Sequence, residues 1–164
     1  MSVSEIYPSE DDSYHPTAVA RTMFVNAIDR GMAETIVDHL EASDASMRVA
    51  QLRVLGGAMA RVPPDATAFA HRASRIMVNV AAFYEGLEDR DMREAWASDF
   101  AAALRQDDAG AYVGFLGDEG EARVREAYPG ATWERLRAIK ARYDPTNLYR
   151  LNQNIPPASG DPRQ

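Results

Sequence analysis

Along this chain the apolar residues change their spacing, and each change limits what the segment can form. Ala33, Ile36, Val37 and Leu40 recur at i, i+3, i+4 and i+7, one face of a helix that starts near Gly31 and stops at Asp44 and Ser46. From Arg48 to Leu55 the spacing falls to two, with Ala50, Leu52 and Val54 on one side and Gln51 and Arg53 on the other. That alternation marks a half-buried strand. Gly56-Gly57 interrupts it, Met59 to Val62 continues it, and Pro63-Pro64 forces a loop. Ala66 to Arg72 reads as a second strand, with Thr67, Phe69 and His71 on one face. Ile76 to Tyr84 reads as a third, with Ile76, Val78, Val80, Ala82 and Tyr84 facing one side and Met77, Asn79 and Phe83 the other.

Helical spacing returns between Asp89 and Arg105, where Met92, Trp96, Phe100 and Leu104 fall on one stripe. Gly110 to Leu116 is a fourth expected strand, which puts Tyr112 and Gly114 on the same face. Asp118 with Glu121 opens a further helix. Trp133, Leu136, Ile139 and Tyr143 carry the last one, which Asp144-Pro145 terminates in a type I turn. Trp96, Phe100, Trp133 and Tyr143 are expected in the core. These elements imply an α+β fold, an antiparallel sheet with helices on one face. The polar stretch 1–16, centred on Ser9-Glu10-Asp11-Asp12-Ser13, is expected to be a flexible arm. Residues 17–157 form the domain, and 158–164 a disordered tail.

Composition removes several function classes. The net charge is −7, and the cations are 17 Arg and the single Lys140, scattered rather than clustered. Phosphate neutralisation needs clustered cations, so no nucleic-acid partner is expected. The absence of cysteine excludes disulfides, thiolate metal sites and cysteine nucleophiles. His15, His39 and His71 fit no zinc spacing, so no metal is expected. No window holds 18 consecutive apolar residues and the N-terminus lacks a basic-then-apolar leader, so no membrane partner is expected and the default compartment is cytoplasmic. Chemistry alone stops there: Gly56-Gly57 lacks the strand–turn–helix setting of a phosphate loop, and no Ser/His/Asp set stands out.

Three blocks say more. Tyr128 to Pro157, with its helix, its Asp-Pro turn and its Asn-Gln-Asn end, resembles the C-terminal signature of the berberine-bridge-enzyme-like flavin oxidases. Gln51 to Arg72 resembles that family's first substrate-domain strand, its glycine pair and its Phe-x-His-Arg strand. Gly110 to Leu116 resembles its Tyr-x-Asn-Tyr/Phe segment. The blocks occur in family order over roughly residues 30–157.

The resemblance implies the substrate domain of a vanillyl-alcohol-oxidase-type flavoenzyme that uses FAD to take a hydride from an alcohol-type small-molecule substrate, with reoxidation by oxygen. On that reading Tyr112 is the base that takes the substrate's hydroxyl proton, Asn152, Gln153 and Asn154 lie near the flavin, and Gln51, Arg53, His71 and Asn79 line the substrate cavity. Read from the residues alone, Tyr112 is a core or rim tyrosine, His71 a structural histidine, and Gln51, Arg53 and Asn79 a solvated sheet face. The chain departs from the family at Gly114, where Asn is usual, which removes a side chain that could orient Tyr112. The family's flavin-binding domain, with its pyrophosphate loop and flavin-linked histidine, has no counterpart in this sequence. FAD is therefore expected to be held only with a flavin-binding domain or subunit supplied elsewhere, and the chain alone is expected to be inactive. The alternative is a non-catalytic module that binds a small molecule or a flavin subunit.

Overall fold

A computed structural model describes residues 17–107 and 110–159. The expected arm 1–16 lies outside them, and of the expected tail only Ala158 and Ser159 lie inside; Ala158 N donates to Arg137 O at 3.1 Å.

Three strands make the sheet: β1 (Thr17–Val25), β2 (Arg48–Val54) and β3 (Ile76–Tyr84), in the order β1-β3-β2. β3 runs antiparallel to both neighbours, so β1 and β2 run parallel to each other with β3 between them. Parallel strands need a crossover, and α1 (Arg30–Ala42) supplies it. Asp29 caps α1 by accepting from Met32 N at 2.8 Å. α2 (Leu87–Leu104) follows β3, and α3 (Glu121–Ala127) and α4 (Ala131–Tyr143) close the chain.

The register sorts the side chains. Met23, Val25, Val78 and Val80 point to the face covered by α1 and α2, where they pack with Ile36, Phe100 and Leu104 in the main core. Helices therefore cover one face of an antiparallel sheet, as the spacing implies. The helix stripes are rotated from expectation. α2 buries Arg93, Ala97, Phe100 and Leu104, leaving Met92 exposed. α1 buries Ile36, with Met32 and Leu40 partly buried beside it, and exposes Val37. Arg93 is buried because it is paired: Nη1 reaches Asp44 Oδ1 at 2.5 Å, and this hydrogen bond holds the Asp44 carboxyl below its usual range.

Among the described residues two expected strands and the expected continuation of the first are absent, and one unexpected strand is present. Met59–Arg61 is a short 3₁₀ turn. Residues 66–72 are irregular, because Arg72 N turns back to Ala70 O at 2.9 Å and the Arg72 guanidinium holds Met59 O and Thr67 Oγ1. Residues 113–115 form another 3₁₀ turn through bonds from Phe115 N to Tyr112 O and Leu116 N to Val113 O. β1 escaped sequence reading because Met23, Phe24 and Val25, side by side, are all buried; a strand covered on both faces shows no alternation. Tyr143, expected in the core, is 73% exposed at the end of α4 with the Arg142 guanidinium over its ring. Trp133 and Phe100 are buried as expected.

Phe100 is fully buried between the sheet, the His39 ring (4.7 Å, stacked) and Trp96 (5.3 Å, edge-on). Phe100→Ala should lower unfolding free energy by about 3–5 kcal/mol, the usual cost of emptying an aromatic site. Chemical denaturation would read it, and a loss under about 1 kcal/mol would show that this contact does not organise the core.

Candidate functional site

The second face of the sheet carries the residues of interest. Pairing sets Gln51 opposite Asn79 and Asn79 opposite Thr22, while Arg53 lies opposite Met77 and Met77 opposite Phe24. Directly opposed residues share a face, so Gln51, Arg53 and Asn79 stand together as the alternation requires. Gln51 Oε1 accepts from Arg53 Nη2 at 3.1 Å and from Asn79 Nδ2 at 3.5 Å. Asn79 and Thr22 are 6% and 1% exposed, and Asn79 Oδ1 and Thr22 Oγ1 have no hydrogen-bond partner among the described residues.

Aromatic rings run from this polar group across the face. The Arg53 guanidinium lies 4.5 Å from the centre of the Phe115 ring. Phe115 meets Tyr112 edge-on at 5.4 Å, Tyr112 meets Phe69 at 6.3 Å, and Phe69 meets His71 at 6.0 Å. His71 then stacks on Phe24, 4.5 Å away, and its Nε2 lies 3.1 Å from Glu126 O. Three separated segments, 51–53, 69–71 and 112–115, thus converge on one face even though only the first is a strand. His71 is buried, so it enters this cluster through its ring contacts rather than as an open cavity wall.

Tyr112 is half-buried. Tyr128, at the end of α3, lies close enough to feel it. Burial, and after it the neighbouring Tyr112 hydroxyl, push the Tyr128 hydroxyl above its ordinary value. Sequence reading placed Tyr128 in a signature but gave it no part in the site, and neither Thr22 nor Phe24 was singled out. Their signal lay in β1, the strand that shows no alternation.

The Asn-Gln-Asn tail lies against the residues that follow the 113–115 turn. Gln153 Nε2 donates to Leu116 O and Gly117 O, both at 2.9 Å. Asn152 adopts a left-handed backbone (φ 59°), Asn154 N bonds back to Asn152 O, and Asn154 Oδ1 is buried without a partner. A cavity of about 510 Å³ opens between Asn152, Gln153, Val113, Leu116 and Asp118. Of the three amides, Asn154 offers an unmet acceptor and Asn152 an exposed amide, whereas both Gln153 N–H groups are engaged. The tail's remaining donors and acceptors suit a polyhydroxylated or ring-edge group such as FAD carries, through Asn152 and Asn154. Another hollow, of about 440 Å³ between Asp65, Thr67 and the Thr132–Leu136 side of α4, shares none of these residues. Among the described residues no group of three His, Asp or Glu could hold a metal, and no helix is long and apolar enough to cross a membrane.

The tail is anchored to α4 by one carboxylate. Asp144 accepts from Leu148 N (2.8 Å), Tyr149 N (3.0 Å) and Lys140 Nζ (2.5 Å), and Lys140 also donates to Tyr149 O. The hydrogen bond from Lys140, and with it the two backbone N–H groups, holds the Asp144 carboxyl below the ordinary 3.8 against the opposing effect of desolvation.

Known proteins share this sequence and this shape. The family described as "Berberine and berberine like" matches residues 111–156. The FAD-linked oxidoreductases YvdP and YgaK of Bacillus subtilis are 36% identical over 103 residues and 34% over 105, covering 63% and 64% of this chain and 23% of each relative. Berberine bridge enzyme-like 17 of Arabidopsis thaliana is 32% identical over 131 residues, again covering 23% of that protein. The chain therefore spans about a quarter of the length of the curated relatives it matches. The structure of BBE-like #28 from Arabidopsis thaliana superposes with a TM-score of 0.76 at 23% identity, over 97% of this chain and 37% of that one. Berberine bridge enzyme from Eschscholzia californica gives 0.74 at 18%, over 91% and 34%. The chain has the fold of berberine-bridge-enzyme-like flavoenzymes, and its relatives in sequence are FAD-linked.

The Asp144 anchor has a pH signature. A carboxyl whose pKa is depressed by folding stabilises the folded form fully above its unfolded value, and that contribution disappears as pH falls through the folded one. The Leu148 and Tyr149 amides should thus stay protected from exchange at neutral pH and lose protection only below the ordinary 3.8, where the depressed carboxyl finally takes up its proton. Asp144→Asn should expose both amides at every pH. Hydrogen exchange followed by NMR checks this; amides unaffected by the substitution would show that the anchor lies elsewhere.

Proposed function

We propose, from a berberine-like segment set on the fold of these flavoenzymes, that the chain is the C-terminal substrate-domain portion of an FAD-dependent oxidoreductase. The observation that carries the reading is the convergence of Gln51, Arg53 and Asn79 with Tyr112 on one sheet face, beside a tail whose free amides suit a cofactor. FAD, when bound, would supply the acceptor for a hydride from an alcohol-type carbon and return the electrons to oxygen. The chain's own residues would do the rest. Tyr112 would take the proton of the substrate hydroxyl, for which its hydroxyl must be within hydrogen-bond reach of that group. Gln51 and Arg53 would orient the polar end of the substrate, with the buried Asn79 holding Gln51 from behind, and Phe69 and Phe115 would enclose its apolar part and exclude water.

The flavin-binding portion would come from another segment or subunit. Leu148, Tyr149 and Leu151 give it a surface: all three are largely exposed, Leu151 at 86%. Such neighbouring apolar side chains on a surface mark a contact site. The same exposure would serve the second reading, a non-catalytic module that docks a flavin subunit, and the chemistry at Tyr112 separates the two.

The chain, combined with the flavin-binding portion of its own protein or of a relative, should bind FAD and reduce it on adding substrate. Tyr112→Phe should slow flavin reduction by about 10²-fold or more, the usual contribution of a positioned base, while leaving FAD binding within about twofold. Stopped-flow absorbance of the flavin reads both. Reduction as fast in the variant as in the parent would remove Tyr112 from the chemistry and leave the docking reading.

A further inference from the structure

Gly114 does not sit at a positive φ, so nothing in its backbone demands glycine. Its reason is space. A Cβ placed there would stand 2.8 Å from Cε1 of Tyr112, 3.2 Å from Cζ and 3.4 Å from the hydroxyl oxygen. Carbon atoms in comfortable contact are about 3.5–4.0 Å apart, so the ring already occupies the volume that any other residue would need. Tyr112 is folded against its own turn, with Phe115 at 5.4 Å and Phe69 at 6.3 Å bounding the ring.

The turn that carries this seat has a tether on its other side. The two carbonyls that follow it, Leu116 O and Gly117 O, both receive hydrogen bonds from Gln153 Nε2. These two acceptors are met by a side chain 36 and 37 residues further along. Gln153 is itself held because the preceding segment is fixed at Asp144 and the following one at Arg137 O.

We propose that Gly114 and Gln153 are positioning residues for Tyr112: the glycine leaves the space in which the phenol ring lies, and the glutamine amide fixes the turn that bears it. The seat is a property of this chain, while its consequence for proton transfer rests on the oxidase reading above. Gln153 then acts through the turn.

A double-mutant cycle tests the glycine. In the full chain Gly114→Ala should lower the thermal midpoint by about 3 °C, and in a Tyr112→Ala background by less than about 1 °C, because the added methyl then meets no ring. If Gly114→Ala unfolds the parent but not the Tyr112→Ala protein, the seat is equally supported. Equal losses in both backgrounds, or unfolding of both, overturn it.

Tyrosine 13Cζ NMR tests both residues, with the Tyr112 line assigned by its loss in Tyr112→Phe. Gly114→Ala should move or broaden that line. Gln153→Glu keeps the side chain's size but sets an oxygen against two carbonyls, and should do the same. The lines of the exposed Tyr143 and Tyr149 should stay in place as internal controls. An unmoved Tyr112 line in either variant removes that residue's role. Because the readout is the ring and not turnover, failure of the seat would leave the oxidase reading standing, and failure of Tyr112 in the flavin experiment would leave the seat.

Discussion

The nine-residue pairing of β3 with β1, continued by seven pairs with β2, decides which side chains meet on each side of the sheet. Side chains alternate strictly along a strand, so a slip of one residue would exchange the two faces completely. Val78 and Val80 would leave the core with α2, and Asn79 and Met77 would enter it. Burying the Asn79 amide among Phe100 and Leu104 without partners would cost about 1–3 kcal/mol. The apolar face opposite α1 and α2 therefore fixes the register, and the polar face inherits its arrangement. Core packing and site geometry are set by the same pairing.

The second face is covered by irregular segments, and aromatic rings make that possible. Irregular backbone still needs partners for its polar groups; local turns supply some of them, through Ala66 N to Pro63 O and Arg72 N to Ala70 O in one segment and Phe115 N to Tyr112 O and Leu116 N to Val113 O in the other. Their contact with the sheet then falls to side chains: Phe69 and His71 on Phe24, and Phe115 under Arg53. Edge-on and stacked ring contacts add about 0.5–1.5 kcal/mol each beyond burial, enough to hold a loop in one place. The outer strand β1 is protected in a different way. Arg123 Nη2 donates to Thr22 O at 2.8 Å, and Arg123 and Arg21 share the buried carboxylate of Glu119. Charges along a strand edge oppose pairing with a further chain.

Sequence reading recovered what depends on period and missed what depends on covering. β2 and β3 were legible, β2 because its sequence alternates, although Leu52 and Val54 on its apolar side are exposed, and β3 because its apolar run is long. α1, α2 and α4 were legible from their spacing, and Asp144-Pro145 stopped α4 at Tyr143 as expected. Residues 66–72 and 110–116 have alternating sequence but no strand pairing: Phe69, His71, Tyr112 and Phe115 join one aromatic cluster, while Thr67 and Gly114 are exposed. Period reports which side is buried, and a loop lying flat on a sheet has a buried side too. That is why Phe69 and His71 were put on a common face by an assignment of the wrong kind. The rotation of the α2 stripe came from Arg93, a charge that no periodicity argument counts as buried until Asp44 is known to pair with it.

The tail shows the opposite limit, where composition overstates function. Three consecutive side-chain amides suggest three contacts to one ligand, but a chain can present neighbouring side chains to one partner only if the backbone lets them point together. Here Asn152 is left-handed and Asn154 N turns back to Asn152 O, so the three amides diverge. One is exposed, one is committed to Leu116 and Gly117, and one is half-buried with its oxygen buried and unmet. A tight turn of this kind is also the tether that keeps the Tyr112 turn in place, so the segment cannot be read as cofactor contact alone. Its geometry links two tasks: whatever the outer amides hold is held at a fixed offset from the phenol, because the middle amide ties the two segments together.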